Sequence, residues 1–126
     1  MPKLISNIEI TRGDTCYVAR QLFDEEDNVL ILNPVTDTVN FTVRKNMESE
    51  AVIHKDLSDG ITIKDDGVIE IIIAPTDTQD LDFGEYGFDI EVTIGKDEEI
   101  PFVKTVNSGK FILTDDDYSR PIKVGE

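Results

Sequence analysis

Apolar and polar side chains alternate with a period of two along most of this chain, which predicts an all-β fold of packed antiparallel sheets. In the clearest run, Tyr86, Phe88, Ile90, Val92 and Ile94 alternate with Glu85, Gly87, Asp89, Glu91 and Thr93. A strand with one wet face is the structure that sends every second side chain to the same side. The other segments rich in β-branched and aromatic residues are short and bounded by Gly, Pro, Asn or Asp, which is the rhythm of a sandwich or barrel. One stretch alone carries a helix-start signal.

From the N-terminus, strands are expected at residues 5 to 10, 14 to 23 and 29 to 32. The facing of the second is open, because Cys16, Val18 and Leu22 compete with Tyr17, Ala19 and Phe23 for the interior. Val39, Phe41 and Val43 alternate with Thr38, Asn40 and Thr42, while Ile69, Ile71 and Ile73 share one face of residues 68 to 74; both segments read as central strands. Residues 51 to 55 make a shorter strand. Ile61 to Lys64, then Asp65-Asp66-Gly67, then the run from Val68 spell a hairpin, with Asp66-Gly67 supplying the positive φ of a tight turn. After Pro75, Thr76 and Gln79 have the spacing of a capping box, but Gly84 leaves room for barely two turns, so a short helical connector is expected near residues 76 to 81. Strands at 85 to 94, 101 to 106 and 110 to 114 complete one domain over residues 1 to 114. Residues 115 to 126, polar and carrying Pro121 and Gly125, are expected to form a C-terminal tail.

The segment from Asp82 to Phe88 has the Asp-x-Gly-x-Tyr spacing of a tyrosine corner, through Asp82, Gly84 and Tyr86, and puts Phe88 where antibody domains place a cysteine. The fold class that follows is an immunoglobulin-like antiparallel β-sandwich of about seven to nine short strands. With no Trp and a single cysteine, Cys16, the antibody-type disulfide is excluded.

Charge narrows the partners. The chain holds 27 acidic and 12 basic residues, a formal charge of −15, and such a field repels phosphate backbones and anionic lipid heads. Nucleic acid and membrane surfaces are therefore not expected as partners; acidity serves solubility or docks against a basic protein surface. One cysteine also excludes a disulfide framework and a Cys-based zinc site, and fits a reducing compartment during folding. No apolar run approaches the ~20 residues of a membrane span, and Met1-Pro2-Lys3-Leu4 does not open a signal peptide.

The inventory for catalysis is thin. His54 is the single imidazole and alternates away from Ile53, so it is expected on the wet face; Cys16 reads as a small buried apolar residue. The acidic runs Glu25-Glu26-Asp27 and Asp115-Asp116-Asp117 lack the alternating pattern of a calcium loop, and adjacent residues of an extended chain point to opposite sides. Arg12-Gly13-Asp14 spells a known adhesion tripeptide but lies between two strands, where Gly-Asp makes a turn. Exposed Trp, the usual sugar platform, is absent. No catalytic residue, cofactor or metal ligand is expected, and the chain reads as a non-enzyme.

The order of signals carries a resemblance. Ile10-Thr11-Arg12-Gly13-Asp14-Thr15, Phe23-Asp24, and Asp37 to Lys45 are followed by Ile71 to Thr78, Leu81, Gly84 to Val92, and Gly109-Lys110-Phe111. Together they resemble the immunoglobulin-like N-terminal domain of phage baseplate upper proteins over residues 8 to 114. The resemblance implies a virion structural protein of a tailed phage or prophage, at the tail, baseplate, neck or capsid. It would act by protein–protein contact in several copies per particle, without catalysis. The family's domain usually precedes a long fibrous or receptor-carrying region, whereas this sequence runs from Met1 to Glu126 and reads as a free-standing domain. Contacts with other virion proteins bearing basic surfaces are expected from Arg12 and Asp14, from Glu25, Glu26 and Asp27, and from Asp115, Asp116, Asp117, Tyr118 and Arg120. The alternative is a surface adhesion module that binds host glycan or protein.

Overall fold

The computed structural model describes residues 4–5, 7–46 and 48–114, and among them nine strands and one α-helix build two sheets. In the larger, β1 (Leu4–Ile5) and β2 (Ile8–Thr11) lie along one edge of β9 (Phe102–Thr114), followed by β8 (Gly84–Ile94), β4 (Thr38–Arg44) and β5 (Ala51–Asp56). The smaller runs β3 (Cys16–Gln21), β7 (Val68–Ile73), β6 (Ile61–Ile63). This is an immunoglobulin-like sandwich, with β4 and β7 central as their alternation requires.

The core is the inward half of each alternation. Val39, Phe41, Val43, Tyr86, Phe88, Ile90, Val92, Phe111 and Leu113 of the larger sheet are buried with Val18, Ile61, Ile69, Ile71 and Ile73 of the smaller. At the cysteine position of antibody domains, Phe88 packs its ring 5.6 Å from that of Phe41, which lies 6.5 Å from Phe111. Aromatic packing within the larger sheet thus stands where antibody domains anchor one end of their disulfide. Pairing of Val18 with Ile71 settles the facing of β3: Val18 and the following Leu22 are buried, Cys16 is half-buried, and Tyr17 is 64% exposed.

The predicted hairpin forms, Ile61 opposite Ile71 and Ile63 opposite Ile69, and closes through left-handed Asp66 (φ 62°) and Gly67 (φ 73°). Gly67 is required twice over, since a Cβ there would lie 2.4 Å from Val29 Cγ1. The tyrosine corner forms too: Gly84 has φ 131°, and Tyr86 donates its hydroxyl to the Asp82 carbonyl at 2.7 Å. Burial and the Asp82 carboxylate hold the phenol above its usual pKa, so it stays a donor.

Four expectations change. Pairing is not wholly antiparallel, because β1 and β2 run parallel to β9; the chain enters along the edge of its own last strand before crossing to the smaller sheet. Segments 101 to 106 and 110 to 114 are one strand, because β8 pairs with it from Phe102 to Leu113 and absorbs the Asn107-Ser108-Gly109 interruption in a register shift near Ile90 and Glu91. Among the described residues, 29 to 32 form no full strand: pairing is limited to the bridge from Val29 to Phe23 and the bond from the Leu30 N–H to the Leu22 carbonyl. The helical connector α1 (Pro75–Thr78) does not use Thr76 and Gln79 as its box: Pro75 takes the first turn and the Asp77 carboxylate accepts the Ala74 N–H at 2.7 Å.

Candidate binding surface

The two ends of the sandwich differ. At one end Arg12, Gly13 and Asp14 turn between β2 and β3 and dock on the α1 connector. Gly13 (φ 86°) donates its N–H to Thr78 Oγ1 at 2.9 Å, Arg12 donates to the Leu81 carbonyl at 3.3 Å, and its guanidinium lies 4.1 Å from the Phe83 ring centroid. The Asp14 N–H closes the turn on the Thr11 carbonyl at 3.1 Å, and Asp14 is half-buried. The tripeptide therefore joins loops within the chain, as its turn spacing anticipates.

The opposite end is built from the acidic loop and the β8–β9 connection. The Asp24 carboxylate accepts the N–H groups of Asn28 at 2.9 Å and Glu26 at 2.8 Å, bonds that hold its pKa below the usual range. Left-handed Asp27 (φ 66°) and the bond from Leu30 N–H to the Leu22 carbonyl fold residues 22 to 30 into a small hairpin with Glu25, Glu26 and Asp27 exposed at its tip. Lys104 of β9 forms an ion pair with Glu25 and ties this tip to the larger sheet.

Asp37 ties the same two segments from beneath. It is 5% exposed and accepts the Gly95 N–H at 3.0 Å, the Thr36 hydroxyl at 3.1 Å and the Asn33 N–H at 2.8 Å. Burial alone would raise its pKa, but these three bonds to the charged form more than reverse that and leave it lowered. The Lys96 N–H adds a bond to the Thr36 carbonyl at 2.8 Å.

Between the segments lies a crevice of about 200 Å³, lined by Phe23, Leu30, Phe102 and Val106 with Asp24, Glu25, Glu26 and Lys104 at its rim. Among the described residues nine large hydrophobics are exposed, and six of them fall within residues 22 to 37 and 95 to 106: Val29, Ile31, Val35, Ile100, Phe102 and Val103. Asp97, Glu98 and Glu99 are exposed beside them. Exposed apolar side chains close in sequence to exposed carboxylates are a composition that protein-docking surfaces share. The acidic half was legible in the sequence, whereas the apolar half was not; its signal was the unbroken Val29-Leu30-Ile31-Leu32 run, too apolar for a half-wet strand.

The remaining candidates do not converge. His54 is exposed on β5, its Nε2 2.9 Å from Asn40 Oδ1, while Cys16 faces inward on the other sheet. Burial pushes the Cys16 thiol up in pKa, with Arg20 pulling it partly back, the opposite of an activated nucleophile. The same alternation that turns His54 outward turns Lys55 inward, 7% exposed, where its Nζ meets Asp77 Oδ2 at 2.8 Å. That buried pair escaped the sequence analysis. Among the described residues, no three His, Cys, Asp or Glu side chains are placed to hold a metal ion, and no helix is long and apolar enough to cross a membrane. Asp115, Asp116, Asp117, Tyr118 and Arg120 lie outside the described residues.

No protein-family model matches the chain, and no curated protein matches it. Among solved structures it is similar to a family 123 glycoside hydrolase from Clostridium perfringens, with a TM-score of 0.35 and 13% identity over 89% of this chain. The chain spans 23% of the length of that enzyme.

Proposed function

We propose that the domain is a non-catalytic assembly subunit that holds another protein against the end formed by residues 22 to 37 and 95 to 106. The observation that carries this is the concentration of exposed apolar residues on those two stretches, together with exposed carboxylates, on a chain of charge −15. Apolar centres supply affinity, and rim charges orient the encounter and favour a basic partner surface. The resemblance to the immunoglobulin-like domain of phage baseplate upper proteins supports placing it in a tailed-phage virion, in several copies, bound to other structural proteins. The separation of His54 from Cys16 supports binding over catalysis.

The test is mass spectrometry of purified particles of the phage or prophage that encodes the chain. Recovery at many copies per particle is expected. Ile100→Ser combined with Phe102→Ser should abolish incorporation while circular dichroism stays β. Reversing the charges of Glu25, Glu26 and Asp27 should lower occupancy at moderate salt. Absence from particles, with the protein found at a cell surface, would favour an adhesion module instead.

A further inference from the structure

On the outer face of the larger sheet, Gly87 stands inside β8 with no duty to the fold. It lies opposite Arg44 of β4 on one side and Lys110 of β9 on the other. A glycine within a paired strand weakens it, and the usual reasons for one are a bulge, a left-handed φ, or close approach of a backbone or ligand. The register shift between β8 and β9 falls at Ile90 and Glu91 instead, and the left-handed glycines are Gly13, Gly60, Gly67, Gly84 and Gly95. A Cβ on Gly87 would meet nothing closer than the Arg44 carbonyl oxygen at 4.0 Å. The reason left is a ligand laid on the sheet.

Gly87 opens a groove of about 510 Å³, lined also by Thr42, Arg44, Asn46, Asp89, Thr105 and Ser108. That volume lies within the range of about 300 to 1,000 Å³ of small-ligand sites. Thr42, Asp89 and Ser108 form one cross-strand row, next to the row of Arg44 and Gly87. Arg44 and Asp89 are thus diagonal neighbours, both half-buried, yet no ion pair joins them. We propose that this groove binds a neutral saccharide, with a sugar ring lying flat over Gly87. Each sugar hydroxyl both donates and accepts, so two adjacent ones satisfy the Asp89 carboxylate and the Arg44 guanidinium together, and the hydroxyls of Thr42, Thr105 and Ser108 extend the pattern. Lys45 also lines the groove, but its ammonium bonds the Glu85 carbonyl at 3.3 Å and lies 4.7 Å from the Tyr86 ring centroid. An anionic sugar would meet the field of a chain of charge −15; a neutral one does not. The buried Phe88 gives the ring no face to stack on, so a single site binds weakly and presentation in several copies strengthens it. The groove is separate from the docking end: Thr105 lines it, while Lys104 and Val106 line the crevice.

The experiment applies the whole chain, biotinylated and held four to a streptavidin, to an array of neutral and acidic oligosaccharides. Neutral oligosaccharides should bind, and titration with one of them should shift the amide resonances of Gly87, Asp89 and Ser108. Gly87→Val should hold or raise the melting temperature, because a β-branched residue favours a strand, and should weaken binding by about tenfold or more. Asp89→Ala should weaken it comparably, whereas Tyr17→Ser, on the outer face of the smaller sheet, should leave it unchanged. No binding, binding confined to acidic oligosaccharides, resonance shifts elsewhere in the chain, or full binding by the Gly87→Val variant overturns the proposal. A Gly87→Val variant that melts lower overturns it too, since the glycine would then serve the fold. The docking end is judged by incorporation of the Ile100→Ser, Phe102→Ser protein into particles, a readout that does not involve the groove.

Discussion

Replacing Asp37 by Asn tests whether residues 33 to 37 and the β8–β9 connection are held together by one buried carboxylate. The side chain is 5% exposed and accepts two backbone N–H groups and one hydroxyl, joining Asn33 and Thr36 to Gly95. An amide keeps one acceptor oxygen and puts an NH₂ where the other stood, so the Asn33 N–H would face a donor. Losing one charge-assisted bond and weakening the others costs about 3 kcal/mol. For a domain of this size that lowers Tm by roughly 10 °C. Because the folded pKa lies below the unfolded one, the contribution of Asp37 is present in full above about pH 5 and is lost as the pH falls through the folded value. Urea unfolding of both proteins should therefore show a gap of about 3 kcal/mol at neutral pH that closes on acidification. An Asn variant within about 0.5 kcal/mol of wild type, or a gap that widens in acid, would refute the carboxylate clamp.

Two further substitutions probe the frame around the core. Tyr86→Phe removes the bond to the Asp82 carbonyl while keeping the edge-on packing against Phe111 at 6.5 Å, so urea unfolding should show a loss of about 1 kcal/mol. A loss near zero would mean that the corner bond contributes nothing beyond the ring. Lys55→Ala leaves the Asp77 carboxylate partly buried without its cation and should cost about 3 kcal/mol. Adding Asp77→Asn should then cost at least about 1 kcal/mol less than the two single losses summed, and strict additivity would show that the pair does not couple.

The site divided along the same line as the fold. Acidic residues are visible by type, so Glu25, Glu26 and Asp27 could be picked out in advance, and the structure sets Glu25 and Glu26 at the rim of the crevice with Asp27 exposed at the same loop tip. Arg12 was visible in the same way, but its guanidinium lies against Phe83 and Leu81 within the chain. Its type announced a charge without announcing where that charge would be used. Ile100 and Phe102 would have passed for core residues by type.

Local chemistry determined what period and turn residues can encode: two sheets, central β4 and β7, the Asp66-Gly67 turn and the Tyr86 corner. Each depends on neighbours a few residues apart, where backbone sterics and side-chain alternation act directly. Tertiary structure alone decided the inward facing of β3, the parallel edge of β1 and β2, the fusion of two expected strands into β9, the inward turn of Lys55 onto Asp77, and the exposure of Phe102 and Val103. Those outcomes depend on which distant strand is available to pair, and on apolar side chains that local pattern marks for burial but that no second layer covers. Sequence period sets which face a side chain takes; the presence or absence of a partner across the gap sets whether that face is core or surface.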